Sequence, residues 1–253
     1  KAQKGVDPRE LLDGFIDRTD RLLRLFEGFF PEVQWLDDGA TLTYLHSCIS
    51  TRMQQVRVPE TPMHLDALLA DEPLCGGLEP RLGAAHLRTL TVVGFPSATF
   101  PGLLDDLNAQ GFAYRWSTRA IMLDKSDAAK LLGKIRRQWF AKRKSVAAIL
   151  KEVMTNEASL LVDSDAANKA EDADAALQEL GSDHVGLALV TATVAVWDED
   201  ASLAAEKLRL AEKVIQGRDF TCVTEGMNAI EAWLGSLPGH VYANVRQPPI
   251  STL

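Results

Sequence analysis

The amino-acid sequence predicts an α+β fold, and three observations carry that expectation. Residues 90–123 and 185–224 share one order: β-run, helix, β-run. A long helical stretch, 127–180, separates them, and residues 1–88 follow another pattern, one helix and then turn-rich chain. Two β-α-β units interrupted in this way build a split, ferredoxin-like mixed sheet with helices on one face. The expected organisation is residues 1–88 as an N-terminal helix, a β-hairpin and a connecting segment, followed by residues 89–253 as a split β-α-β domain with a helical hairpin inserted at 127–180.

Pro8–Phe30 sets Leu11, Leu12, Phe15, Ile16, Leu22, Leu23, Phe26 and Phe30 at helical spacing, with Asp7 as N-cap and Pro8 at the first helical position. After Pro31, the runs Val33–Leu36 and Thr41–Ile49 flank Asp37-Asp38-Gly39-Ala40, a turn-like tetrapeptide, and predict a β-hairpin. Pro59, Pro62, Pro73, Gly76, Gly77, Pro80 and Gly83 leave room only for short helices such as Met63–Ala70. The first unit then reads as a strand over 90–95, a capped helix from Thr99 through Leu107 closed by Gly111, and a strand over 112–123. The second reads as a strand over 185–197, a helix over 202–216 stopped by Gly217, and a strand over 220–224. On that helix Leu203, Lys207, Leu210 and Val214 run beside Ala204, Leu208, Ala211 and Ile215, and all but Lys207 are expected to face the sheet.

Within the insertion the first helix aligns Ala128, Leu131, Leu132, Ile135, Trp139, Val146, Ile149, Leu150 and Val153 in one seam. The same helix carries Lys134, Arg136, Arg137, Lys142, Arg143 and Lys144, six basic residues in an eleven-residue stretch without an acid. The second arm is acidic, with Asp163, Asp165, Glu171, Asp172, Asp174, Glu179 and Asp183 against Lys169, and its seam of Leu160, Leu161, Ala166, Ala170, Ala173 and Leu177 is small enough for close helix approach. The hairpin is expected to project from the sheet. Its six basic side chains are the candidate contact to a partner or an anionic surface. At about 100° per residue they spread around most of the helix, which disfavours a phosphate-tracking stripe and direct nucleic-acid binding.

Composition sets further bounds. Of 253 residues, 46% are hydrophobic and 25% charged, an average globular balance that excludes dominant disorder. Twenty-seven Lys and Arg against 35 Asp and Glu give a net charge of −8, which disfavours nucleic-acid binding by the chain as a whole. Cys48, Cys75 and Cys222 form no C-x-x-C pair, so neither a disulfide framework nor a zinc knuckle is expected, and a reducing compartment suits them. The longest apolar stretch, Val185–Trp197, falls short of the roughly 20 residues of a membrane-spanning helix. Residue 1 is Lys rather than Met, so the chain is read as a piece of a longer protein.

Catalytic motifs are mostly missing. Gly133-Lys134-Ile135 lacks the preceding glycine and the hydroxyl residue of a phosphate-cradling G-x-x-x-x-G-K-S/T loop, and there is no G-x-G-x-x-G or H-E-x-x-H. Gly235-Ser236-Leu237-Pro238-Gly239 has the wrong spacing for a nucleophile elbow and reads as a helix-ending turn. The acidic pairs Asp163/Asp165, Asp172/Asp174 and Asp198/Asp200 lack the glycine and terminal glutamate of a calcium loop and read as helix starts or turns. No catalytic, cofactor-binding or metal-binding residue is assigned. Two other functions remain open on residues alone: an autonomous α/β enzyme built from scattered groups such as His184, Asp198 and Glu225, and a nucleic-acid-contacting domain using Lys134–Lys144.

The wording Asn228-Ala229-Ile230-Glu231-Ala232-Trp233-Leu234-Gly235-Ser236-Leu237-Pro238-Gly239, followed by Asn244-Val245-Arg246-Gln247-Pro248-Pro249, resembles the TrbE-type conjugal transfer ATPases of type IV secretion systems, the CagE/TrbE/VirB group. The resemblance extends back through Arg136-Arg137-Gln138-Trp139, Asn156-Glu157-Ala158 and Ala166–Ala170 to about residue 90. It implies an N-terminal domain that docks a P-loop motor onto other inner-membrane components of the secretion system, at the cytoplasmic face of the bacterial inner membrane. The motor, with ATP and Mg, would follow Leu253 in a hexameric whole protein that energises pilus assembly and DNA or protein transfer. No family catalytic residue maps onto this chain, so the piece is expected to be non-catalytic and, without its motor, monomeric or weakly oligomeric.

Overall fold

In the computed structural model the described residues are 7–96, 98–143, 173–178, 180–181, 185–240, 242–243 and 245–251. The chain divides into two compact units, Lys1–Asp71 and Glu72–Leu253. The boundary lies ahead of residue 88 because strands β1 (Leu74–Cys75) and β2 (Arg81–Leu82), within the expected connecting segment, already extend the sheet of the second unit.

The first unit is helical. Helix α1 spans Pro8–Glu27, with the Asp7 carboxylate accepting from the Arg9 N–H and Pro at the first turn, as its sequence predicts. The predicted β-hairpin over 33–49 does not form: α2 occupies Asp38–Ile49. Asp37-Asp38-Gly39-Ala40 is a helix start rather than a strand turn, since the Asp37 side chain accepts from the Ala40 N–H at 2.7 Å and Thr41 N–H donates to the Asp37 carbonyl. The buried residues Leu42, His46 and Cys48 follow the helical period, which outweighs the β-branched and aromatic content that suggested strands. Helix α3, Leu65–Leu69, lies within the predicted Met63–Ala70. His46, 1% exposed, places Nε2 3.1 Å from Asp71 Oδ2 and ties α2 to the chain after α3.

The second unit is the predicted split sheet. Its principal strands are β3 (Ala85–Gly94), β4 (Arg115–Leu123), β5 (Leu187–Asp198) and β6 (Thr221–Glu225), in the order β6-β3-β5-β4 with every neighbouring pair antiparallel. β3 and β4 are therefore parallel across β5, and β5 and β6 are parallel across β3, which is the interleaving of two β-α-β units. A short β7, Pro249–Ser251, pairs with Leu187–Leu189. The second crossover is α5, Ala201–Gln216, stopped at Gly217 as expected. The first is not an α-helix: its helical portion is a 3-10 segment over Asp105–Gln110. Pro101 and Gly102, the latter at φ +83°, break the α-geometry that the sequence predicts over Thr99–Leu107, and Gly111 closes the segment at φ +69°.

One sheet face is the core. Leu90, Val92, Ala192, Val194 and Val196 pack against Leu208, Ala211 and Ile215 of α5, with Leu107 and Phe220. The buried stripe of α5 is narrower than predicted, with Ala204, Leu208, Ala211 and Ile215 inside and Leu203 54% exposed. The other face carries α6, Ala229–Gly235, so helical elements lie on both faces rather than one. Helix α4, Lys125–Arg143, begins the insertion; Ala128 and Leu132 pack with Leu180 and Leu187, flanked by Leu131, Ala176 and Leu177. The expected seam pairing of the two arms thus holds at the hairpin base, and the rest of the insertion lies outside the described residues.

Candidate functional site

Sheet register places the chemistry-bearing residues. Side chains directly opposite in an antiparallel ladder share a face, and successive residues alternate. Glu225, Thr89, Ala195 and Arg115 form one cross-sheet row, Val223, Thr91, Thr193 and Ser117 the next, and Thr191 and Arg119 the third. All lie on the face opposite the α5 core. It is a polar face, with Thr89, Thr91, Thr191, Thr193 and Glu225 all buried.

Residues 229–248 cover this face. Helix α6 ends at Gly235, Ser236 caps it with its hydroxyl donating to the Trp233 carbonyl at 2.6 Å, and Gly239 turns at φ +77°. The chain then runs back over the sheet as a strap held by polar bonds. Arg115 donates to Ser236 Oγ at 2.8 Å and lies 5.8 Å over the Trp233 ring, a cation–π distance. Arg119 donates to the carbonyls of Ala243, at 2.7 Å, and His240. Thr191 Oγ1 donates to the Arg246 carbonyl at 2.6 Å. Arg246 grips Glu225 with two nitrogens, Nε to Oε1 at 2.6 Å and a terminal nitrogen to Oε2 at 3.2 Å, and this ion pair holds the guanidinium above its ordinary pKa. The Glu225 side chain is 2% exposed, so the strap seats its arginine on a buried carboxylate.

Gly235–Gly239 is therefore the helix-ending turn that its spacing predicts. Asp198 and Glu225 lie on opposite faces of the sheet, because Asp198 pairs with His86 and Glu225 with Thr89, residues of opposite parity on β3. His184 lies outside the described residues. The scattered trio is not brought together by the fold. Asp198 instead pairs with Lys207 at 2.7 Å, and Asp200 caps α5 by accepting from the N–H groups of Ser202 and Leu203. Gly133 and Lys134 sit inside α4, where backbone N–H groups bond along the helix, so this segment does not fit a phosphate cradle for ATP and Mg. No group of three or more His, Cys, Asp or Glu that could hold a metal occurs among the described residues.

Of the six basic residues, Lys134 and Arg137 are exposed on α4, and Arg136 pairs with Asp174 at 2.7 Å across the two arms. Lys142 and Arg143 are placed by backbone alone in the last turn of α4, and Lys144, like Asp163, Asp165 and Asp172, lies outside the described residues. Sequence reasoning missed Arg115 and Arg119 as anchors. The signal was present in β4, where Arg115, Ser117 and Arg119 alternate on one face. Among the described residues no helix is long and apolar enough to cross a membrane.

Residues 33–246 match the family described as "CagE, TrbE, VirB family, component of type IV transporter system". The chain belongs to that family. Two curated relatives agree with the assignment. A probable conjugal transfer protein TrbE of Sinorhizobium fredii is 32% identical over 211 residues, covering 83% of this chain and 31% of that protein. The conjugal transfer protein TrbE of Rhizobium radiobacter is 31% identical over 209 residues, covering 83% of this chain and 25% of that protein. The chain thus spans less than a third of the length of either TrbE relative. The family match ends at Arg246, the strap residue that binds Glu225.

Proposed function

We propose that this chain is a non-catalytic docking and assembly domain of a conjugal transfer ATPase, working at the cytoplasmic face of the bacterial inner membrane on other inner-membrane components of a type IV secretion system. The whole protein, in this reading, is a hexameric P-loop ATPase that uses ATP and Mg to energise pilus assembly and transfer. The observation that carries the reading is the use made of the segment with the family-like wording: the strap's carbonyls, Ser236 and Arg246 are committed to Arg115, Arg119, Thr191 and Glu225. Those residues hold structure together. The exposed Lys134 and Arg137 on α4 are then the groups free to meet a partner, while Arg136 fastens the arms.

The test is a Lys134→Glu, Arg137→Glu variant of the whole protein, assayed in cells for transfer and for co-purification with the inner-membrane components. Docking lost at an unchanged thermal midpoint supports the reading; docking and transfer both unchanged make the basic arm a solvated face and refute it. Steeply salt-dependent DNA binding that disappears in the same variant would reassign the arm to nucleic acid. The isolated chain should show no ATP turnover that survives repurification.

A further inference from the structure

The largest unused feature of the first unit is helix α1. None of its residues is buried, although Leu11, Leu12, Phe15, Ile16, Leu22, Leu25 and Phe26 are 47–60% exposed and Phe29 and Phe30 continue the apolar surface beyond Gly28. In heptad terms Leu12, Thr19 and Phe26 hold the a positions, Phe15, Leu22 and Phe29 the d positions, and Leu11, Ile16, Leu23 and Leu25 widen the seam at e and g. Thr19, the polar interruption, satisfies its hydroxyl within the helix by donating to the Phe15 and Ile16 carbonyls, at 3.0 and 2.9 Å, so it can be covered without an unpaired group.

Charge decides what covers this face. One edge of the seam carries Asp13, Asp20 and Glu27, with Arg9 only at its start; the opposite edge carries Arg18 and Arg21. In a parallel helix pair the acidic edge of one copy lies beside the basic edge of the next, whereas an antiparallel pair sets like against like. The exposed surface of the nine apolar residues is about 1,000 Å², against the roughly 800 Å² per partner of a standard stable interface. A lipid surface suits the helix less, because interfacial helices are rich in Lys and Arg on the polar face and α1 carries Glu10, Asp13, Asp17, Asp20 and Glu27 against four arginines.

We infer that α1 is a self-association helix, packing in parallel and in register against α1 of a second copy of this chain, with acidic edge to basic edge. The inference stands on α1 alone and does not depend on the docking role. It gives this chain a contact of its own, in place of the monomer expected from the sequence.

The experiment uses the full chain with the exposed Cys75 replaced by Ser. Light scattering should report a mass of two or more copies at micromolar concentration, and Phe15→Asp with Leu22→Asp should return a monomer with unchanged helix content, since neither residue is buried. Phe15→Cys and Leu22→Cys should each cross-link to the same position of another copy. Cross-linking only between position 15 and position 22 in a mixture would show antiparallel pairing and overturn the inference. Arg18→Glu with Arg21→Glu should shift association to several-fold higher concentration, and adding Asp13→Arg with Asp20→Arg should restore it. A monomeric wild type at every concentration overturns the inference. So does flotation of the wild type, but not the Asp variant, with phosphatidylcholine/phosphatidylglycerol vesicles in place of self-association.

Discussion

Replacing Arg246 by Ala tests whether the strap is held as described. The change removes both nitrogens from a Glu225 carboxylate whose side chain is only 2% exposed, leaving a buried charge without its partner. Breaking a fully buried ion pair costs about 3 to 5 kcal/mol, and Arg246, 35% exposed, leaves an opening through which water can partly replace it. The expected loss is therefore about 2 to 4 kcal/mol, on the order of a 1 M decrease in the urea midpoint for a unit of this size. Tryptophan fluorescence is a suitable readout because Trp233, buried beside Arg115, lies under the strap. Adding Glu225→Gln removes the orphaned charge and should recover some of the loss, since a neutral amide is cheaper to leave unpaired than a carboxylate. An Arg246→Ala variant within about 0.5 kcal/mol of wild type, or a double variant no more stable than the single, would refute the reasoning.

Acid should destabilise the protein through carboxylates whose pKa values lie below their ordinary range. The hydrogen bond from Lys207 and the Asp200 N–H lower Asp198, and Arg209 lowers Glu206. At Asp71, burial pushes the carboxyl up, but hydrogen bonds from His46 and Ser50 with the His46 charge outweigh it and the net direction is down. A lowered pKa in the folded state gives stability that is present above the ordinary carboxylate value and lost as pH falls through the folded one, so urea midpoints should decline on acidification below about pH 4, less steeply in Asp198→Asn. For the thiols, burial, with Glu212 nearby, pushes Cys222 up to about 11, which leaves about one thiol in a thousand ionised at pH 8. An alkylating reagent should therefore modify the exposed Cys75 well before Cys222 or the buried Cys48, as mass mapping would show. Leu132→Ala, in the cluster with Ala128, Leu180 and Leu187, should cost about 2 to 5 kcal/mol in a denaturation series. Arg136→Glu, whose pair with Asp174 is about two-fifths exposed on each side, should cost no more than about 1 kcal/mol.

The residues alone determined those features of this protein that local chemistry governs. Asp7 and Pro8 start α1, Gly217 stops α5, Gly111 closes the first crossover, and Ala128, Leu131 and Leu132 mark the seam of the hairpin base. Each depends on a cap, a backbone preference or a period within one element. The two β-run, helix, β-run segments likewise carried the interleaved sheet, because parallel strands of one sheet must be joined by a crossover. The misreadings came where two local signals competed: Asp37-Asp38-Gly39-Ala40 serves a hairpin turn and a helix start equally well, and burial of Leu42, His46 and Cys48 settled it for the helix. Only the tertiary structure decided the covered face. Arg115, Arg119, Thr191 and Glu225 come from three strands and are separated from one another and from Arg246 by up to 131 positions in the chain. No window of sequence contains their meeting, because strand order and register, set by the whole sheet, place them in adjoining rows, and the strap's polar groups find partners only after those rows exist.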